Sequence, residues 1–193
     1  MTYWDPLPTV RACAEGEPLP GLANWVPAYQ PPWGGRPEAW RERNWRNAPG
    51  PFYGAATDTC WVGREVAPAH VLYDDESGGE FVHRQPCTPE ETYRVMAAAR
   101  QDPMAGYECD GDAHWTPELV RDRWRDRGRD REWAVGLDRS RSASEREDER
   151  EAAGGSRAYL AHLDTGLGDH LRGYPFWLQE RRVPRPGERL PEL

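Results

Sequence analysis

The chain has 193 residues and a formal net charge of −8, and all 25 of its basic residues are Arg because it contains no Lys. Without Lys the protein cannot form a lysine Schiff base or bind phosphate through the lysine of a P-loop or a protein kinase, so those enzyme classes are excluded. The acidic balance also repels polyanions, so nucleic acid is not expected as a partner.

The core is expected to be aromatic, because aliphatic side chains are scarce. Leu, Val and Phe number 13, 10 and 3 and Ile is absent, whereas Trp and Tyr number 10 and 8. Indole and phenol rings bury large areas when their N–H and O–H groups find partners. A chain of this length usually builds one core, so we predict a single domain over residues 1–193 with an α+β fold.

The first 55 residues predict an irregular Trp/Pro-rich arm on the outside of the domain. They contain ten of the 19 Pro and five of the ten Trp residues. Pro removes a backbone donor and fixes φ, which disfavours long regular elements, whereas Trp anchors a segment by burying its ring. Within this arm, residues 37–45 have the composition of one short helix.

Residues 56–135 are expected to form the body, beginning with a small antiparallel sheet at about 57–84. Three short stretches rich in β-branched and aromatic residues predict its strands: 57–62, 70–73 and 80–84. The last two are predicted to form a hairpin through the turn-forming residues 74–79.

Two helices of the body have clear N-terminal signals. Thr88 is followed by Pro and, three positions on, by Glu, the pattern of a capped helix at about 89–101. Thr116 is also followed by Pro and predicts a second helix at about 117–134.

The C-terminal part predicts a third helical region. Residues 136–156 mix acidic and basic side chains with Ser and Gly, so we expect this charged segment to be interrupted and mobile. Apolar side chains then step by three and four positions, which predicts helix at about 157–181 within a region 157–183. The tail, 184–193, is rich in Pro and expected to be extended. The predicted fold is therefore a small sheet covered by three helical regions.

Four residues flanking the helix at 89–101 have the side chains that zinc prefers: His83, Cys87, Cys109 and His114. The chain that follows the helix is long enough to bring Cys109 back to Cys87. The alternative is that both Cys are core residues and both His are strand-end or surface groups, since zinc ribbons and fingers have tighter ligand spacing. We expect no cofactor, with zinc as the alternative.

The loop at 108–114 is the predicted functional loop, because it places three carboxylates, a thiol and an imidazole just before a helix. In a catalytic role His114 would act as general base and Asp110 or Asp112 would orient it, or the carboxylates would bind a divalent cation. The alternative is a local turn in which an Asp side chain satisfies nearby backbone groups.

Two further expectations concern side chains outside this loop. Cys60 is a candidate nucleophile with His70 or His83 as its base, although a free, buried thiol is the commoner outcome. Arg84 and Arg121 are expected to lie near the 108–114 loop and compensate its charge. The four Cys residues are expected to be free in a reducing cytosol.

The sequence predicts a cytoplasmic protein, because it has no signal-peptide pattern and no apolar run long enough to span a bilayer. The function expected from it is an interaction module, immunity- or adaptor-like, that binds a protein partner through Trp, Tyr and Arg anchors. An acidic protein that masks a basic partner is one form of such a module. The alternative is a small metal-dependent or His/Asp enzyme centred on the loop at 108–114.

Overall fold

The computed structural model describes residues 3–15, 36 and 38–193. In this part of the chain there are eight α-helices, one 3₁₀ turn and four short strands, so the predicted α+β class is confirmed. Part of the predicted Trp/Pro-rich arm, residues 1–2, 16–35 and 37, lies outside the described residues.

The chain divides into two compact units. The N-terminal unit contains residues 4–114, and the C-terminal unit contains residues 115–193 together with Tyr3. The prediction of one domain over residues 1–193 stays a prediction, and each unit is described by itself.

The N-terminal unit combines four helices with two small antiparallel sheets. Its elements in chain order are α1 (Leu7–Ala14), α2 (Ala39–Glu42), β1 (Tyr53–Gly54), α3 (Val62–Val66), β2 (Val71–Asp74), β3 (Gly79–Val82), α4 (Pro89–Gln101), β4 (Tyr107–Glu108) and a 3₁₀ turn at Gly111–Ala113. β2 pairs with β3 as the predicted hairpin, with Val71 opposite Val82, which confirms that part of the sequence analysis. β1 pairs with β4, and Tyr53 lies opposite Glu108.

The predicted strand at 57–62 is wrong, because a turn and a helix occupy this stretch. The Oδ1 atom of Asp58 accepts the N–H of Cys60 at 3.0 Å, which is a local side-chain turn that competes with a ladder. Trp61 then has a left-handed backbone, with φ at 65°, and α3 begins at the next residue. The buried carboxylate of Glu80 accepts the N–H groups of Gly63 and Arg64, which satisfies the start of this helix.

Helix α4 lies at the core of the N-terminal unit, where it packs against α3 and α1. Thr88 accepts the N–H of Glu91 at 3.1 Å, so the predicted N-cap is confirmed. The buried residues of α4 share one cluster with a residue from each hairpin strand and with two rings. The α4 residues are Val95, Met96, Ala98 and Ala99, and the others are Val71, Val82, Phe52 and Tyr107. In this core α4 packs against α3 and α1, and the hairpin contributes Val71 and Val82.

Side-chain amides, and not further strands, hold the segment between α2 and α3. The carbonyl of the Asn47 side chain accepts the N–H groups of Gly54 and Val82, and its amide donates to the carbonyl groups of Gly54 and Asn44. The side chain of Gln85 in the same way binds Ala48 and both backbone groups of Phe52. Both amides are buried, so they replace the hydrogen bonds that these backbone groups would otherwise make with water.

The C-terminal unit is helical, and its helices extend further than the sequence predicted. They are α5 (Pro117–Arg125), α6 (Arg127–Ser142), α7 (Glu147–Thr165) and α8 (Leu167–Glu180), and the tail after residue 183 has no helix or strand. Thr116 accepts the N–H of Leu119, so the second predicted N-cap is also confirmed. The predicted helix at 117–134 is in fact α5 and the first half of α6, and the region at 157–181 comprises the end of α7 and all of α8.

The charged segment at 136–156 contains the expected interruption, but it is short and the rest of the segment is helical. Only residues 143–146 separate α6 from α7. Within the segment Leu137, Ala152 and Ala153 are buried, so small and apolar side chains give the two helices packed faces despite the many charges. Mobility of this segment stays a prediction.

Two buried features stabilise the C-terminal unit. The guanidinium of Arg123 donates to the carboxylate of Asp130, and both side chains are almost fully buried, so each neutralises a charge that would otherwise be costly. Tyr3 packs its ring on α8, with centroids 5.0 Å from Tyr174 and 5.2 Å from Trp177. The expectation that aromatic rings substitute for aliphatic core residues is met here.

Replacing Asn47 with Ala should destabilise the N-terminal unit by about 3 kcal/mol, because it leaves buried backbone donors and acceptors without their partners. The midpoint of urea unfolding measures this change. Gln101→Ala, an exposed position at the end of α4, is the matched control and should stay within about 0.5 kcal/mol of the wild type. A loss below about 1 kcal/mol for Asn47→Ala would show that water replaces the amide.

Candidate functional site

The pairing of β1 with β4 brings Tyr53 beside the loop that was predicted to be functional. Tyr53 lies opposite Glu108, and the chain leaves β4 directly into that loop. The hydroxyl of Tyr53 donates to the Oδ1 atom of Asp110 at 2.8 Å. The ring of Tyr53 is buried, so its hydroxyl is a fixed donor at the edge of the loop.

The 3₁₀ turn places His114 against Asp110. The Nε2 atom of His114 lies 3.2 Å from the Oδ2 atom of Asp110, which confirms that one of the two predicted carboxylates contacts this imidazole. Gly111 allows the turn, because a Cβ there would lie 2.2 Å from the carbonyl oxygen of Gly50. The side chains of His114 and Asp110 are 34% and 44% exposed, so both reach solvent.

Trp40 of α2 stacks on this imidazole and also binds a guanidinium. The Trp40 and His114 rings are 4.8 Å apart with an angle of 16° between their planes. The Cζ atom of Arg43 lies 3.8 Å from a Trp40 ring centroid, within the range of a cation–π contact. Tyr53 meets Trp40 edge to face at 5.4 Å. We call Trp40, Arg43, Tyr53, Asp110 and His114 the aromatic–arginine platform.

Electrostatics fix the direction of the hydrogen bonds in the platform. Burial raises the pKa of Tyr53, and its hydrogen bond to Asp110 raises that pKa further, so Tyr53 remains a donor. An ionised carboxylate only accepts hydrogen bonds, so Asp110 accepts one from the O–H of Tyr53 and one from the Nε2–H of His114. The other ring nitrogen of His114, Nδ1, has no hydrogen-bond partner among the residues that the structure describes.

Burial also shifts the pKa of Arg43, within the platform, and that of Glu108, next to it. Burial lowers the pKa of Arg43, whereas a negative charge on an ionised Tyr53 would raise it. Burial raises the pKa of Glu108, whose carboxylate accepts the backbone N–H of Arg36 at 3.4 Å. The guanidinium of Arg36 itself pairs with Glu42. Arg43 is therefore the guanidinium of the platform.

The four predicted zinc ligands do not come together. His83 is buried, and the thiol of Cys87 donates to a carboxylate oxygen of Glu91 at 2.9 Å. Burial raises the pKa of Cys87 and that of Cys109, which disfavours the thiolate that zinc requires. His114 pairs with Asp110 instead. Among residues 3–15, 36 and 38–193 no group of three or more His, Cys, Asp or Glu side chains is placed to hold a metal ion.

The other predicted side chains lie apart from the platform or have different partners. Asp112 is half-buried, and it is Asp110 that contacts the imidazole. Arg84 pairs with Glu91. Arg121 pairs with Glu118. The described guanidinium that acts on a carboxylate of the loop is that of Arg36, whose charge lowers the pKa of Glu108 against the effect of burial.

Cys60 is not paired with a histidine in the described structure. It is exposed and bonds through its backbone N–H to Asp58, whereas His70 and His83 are 1% and 2% exposed. The Nδ1 atom of His70 bonds to the carbonyl oxygen of Arg84 at 3.0 Å. The predicted nucleophile and base are therefore not assembled.

Sequence reasoning missed Trp40, Arg43 and Tyr53. Tyr53 lies on a two-residue strand that has no periodicity to detect, and it contacts Asp110 across 57 positions of the chain. A Trp with an Arg three residues later on a short helix is a weak signal for a stacked pair, which the predicted helix at 37–45 contained.

Comparison with known proteins adds no family: no family model, no curated protein and no solved structure matches this chain significantly. No helix in the described part of the chain is long and apolar enough to cross a membrane.

The buried imidazole of His70 should make the N-terminal unit sensitive to acid. Burial lowers the pKa of His70 from 6.5, outweighing the hydrogen bond to Arg84 and the charge of Glu91 that raise it. Below pH 6.5 the unfolded chain gains a proton that the folded state resists, so the free energy of unfolding falls as pH falls, by at most about 1.4 kcal/mol per pH unit.

The variant His70→Asn keeps a donor near the Arg84 carbonyl and cannot titrate. We expect its free energy of unfolding, measured by urea titration between pH 7 and pH 5, to fall less steeply than that of the wild type. Parallel pH profiles for the two proteins would contradict this assignment.

Proposed function

We propose that the protein is an interaction module that binds a protein partner through the aromatic–arginine platform. One observation carries the proposal: a half-buried Trp40 has both the guanidinium of Arg43 and the imidazole of His114 stacked on it. Trp, Tyr and Arg are the residue types most enriched at interface hot spots. Because these residues cluster at one solvent-accessible place, they support the binding of a protein partner there.

The platform is also preorganised, which favours binding. The Nη1 atom of Arg43 donates to the carbonyl oxygen of Trp40 at 2.7 Å, and Asp110 holds His114 across the 3₁₀ turn that separates them. Side chains that are already fixed lose little rotamer entropy when a partner docks. The surface therefore needs little rearrangement to form an interface.

Three features favour binding over catalysis at this place. The imidazole and carboxylate reach solvent, so their interaction is not strengthened by a dry cavity. The nearest thiol in sequence, Cys109, has a pKa raised by burial and is a poor nucleophile. No described group of ligands is placed to supply metal chemistry.

A cytoplasmic location belongs to the same proposal, because the four cysteines are free, as expected in a reducing compartment.

The test uses two Trp variants and a displayed library of random peptides selected on the wild type. Trp40→Ala should weaken the binding of the selected peptides by about 30-fold, which corresponds to the loss of a hot spot worth about 2 kcal/mol. Trp124→Ala is the matched control, because Trp124 is also half-buried and also carries a stacked guanidinium, that of Arg127.

The result that supports the module is a loss confined to Trp40→Ala, in variants that keep the circular dichroism of the wild type. Equal losses for both variants, or a library that yields no binder sensitive to position 40, would overturn the proposal.

A second candidate is an acid–base enzyme in which His114 is the general base, with no metal. The observation that favours it is the chain of hydrogen bonds from Tyr53 to Asp110 to His114, in which a carboxylate orients an imidazole. Hydrolysis of a panel of activated esters and amides tests this candidate. His114→Ala should slow turnover by at least about 100-fold, and Asp110→Asn should slow it less. Turnover by the wild type no faster than by His114→Ala would remove the enzyme candidate.

A further inference from the structure

Carboxylates outnumber guanidinium groups around the platform. The carboxylates here are those of Glu108, Asp110 and Asp112 in the loop and of Glu42 in α2, whereas the guanidinium groups described beside them are those of Arg36 and Arg43. The whole chain carries a net charge of −8, so the local excess has the same sign as the overall field. A partner that docks here meets negative potential.

Asp110 is the carboxylate that a partner reaches. Its side chain is 44% exposed, whereas Glu108 is buried under the backbone N–H of Arg36. Each Asp110 oxygen has one described hydrogen bond, from Tyr53 or from His114. A carboxylate has about four acceptor sites, so both oxygens retain a site for an incoming donor.

The imidazole of His114, which is 34% exposed, offers a second acceptor. In the neutral tautomer that directs Nε2–H to Asp110, its Nδ1 atom carries a lone pair. The electron-rich Trp40 indole, which already stacks with Arg43 and His114, adds to the negative potential beside Asp110. Carboxylate, imidazole nitrogen and indole thus all favour one kind of ligand, a cation with several donors.

We propose that the platform recognises a guanidinium, so that the protein partner docks an Arg side chain on Asp110 and His114 beside Trp40. An Arg side chain matches the site better than Lys, because its planar fork donates to two acceptors at once. This inference rests on the proposed function and names the chemistry of the partner.

The experiment titrates the full-length protein with three capped pentapeptides, Gly-Arg-Gly-Arg-Gly and its Lys and Gln equivalents. Binding is followed by NMR at the His114 imidazole and the Trp40 indole N–H. We expect the Arg peptide to shift both signals, the Lys peptide to bind several-fold more weakly, and the Gln peptide to leave them unchanged.

Two variants with the same change in net charge separate recognition from general attraction. Asp110→Asn should weaken the Arg peptide by about tenfold. Asp164→Asn, at an exposed position of the C-terminal unit, should change its affinity less than twofold. Equal losses for the two variants, or shifts away from Trp40 and His114, would overturn the inference.

The two proposals fail in different ways. Library peptides that depend on Trp40 but carry no Arg would remove the guanidinium inference and leave the interaction module in place. A library without any Trp40-dependent peptide would remove the module itself.

Discussion

The side chain of Asn47 is the single interaction on which the N-terminal unit depends most. Its amide holds both backbone groups of Gly54 and the N–H of Val82, so it joins β1 to the hairpin through one residue. β1 and β4 form a sheet of only two residues each, which by itself would be marginal. Tyr53 therefore keeps its position because Asn47 fixes the next residue.

The same principle operates throughout the irregular parts of this unit. Glu80 satisfies the start of α3, and Asp102 accepts the N–H groups of Met104 and Gly106 in the turn before β4. Buried backbone groups need partners, and where helix and sheet are short the partners are side chains. The chain thus folds its loops into fixed shapes with polar side chains of the core, and one of those loops presents His114.

His114 makes two kinds of contact in the platform. Its hydrogen bond to Asp110 is the kind that orients an imidazole in an acid–base site, and its stacking on Trp40 is the kind found in recognition surfaces. The pair lies in contact with solvent and no described metal group accompanies it, which is why we propose recognition. The proposed recognition of a donor-rich side chain would use both features.

The sequence alone determined the local elements, because their signals are local. The caps at Thr88 and Thr116 and the hairpin came from neighbouring residues, and so did the choice of Asp110 and His114 as candidates. What only the tertiary structure decided was which side chains meet. Tyr53 and Trp40 reach the loop through pairing and packing over long stretches of chain, and Cys87 bonds to Glu91 instead of joining a metal site. Sequence pattern reports the face and the ends of an element, whereas contacts between distant elements depend on how their faces are packed.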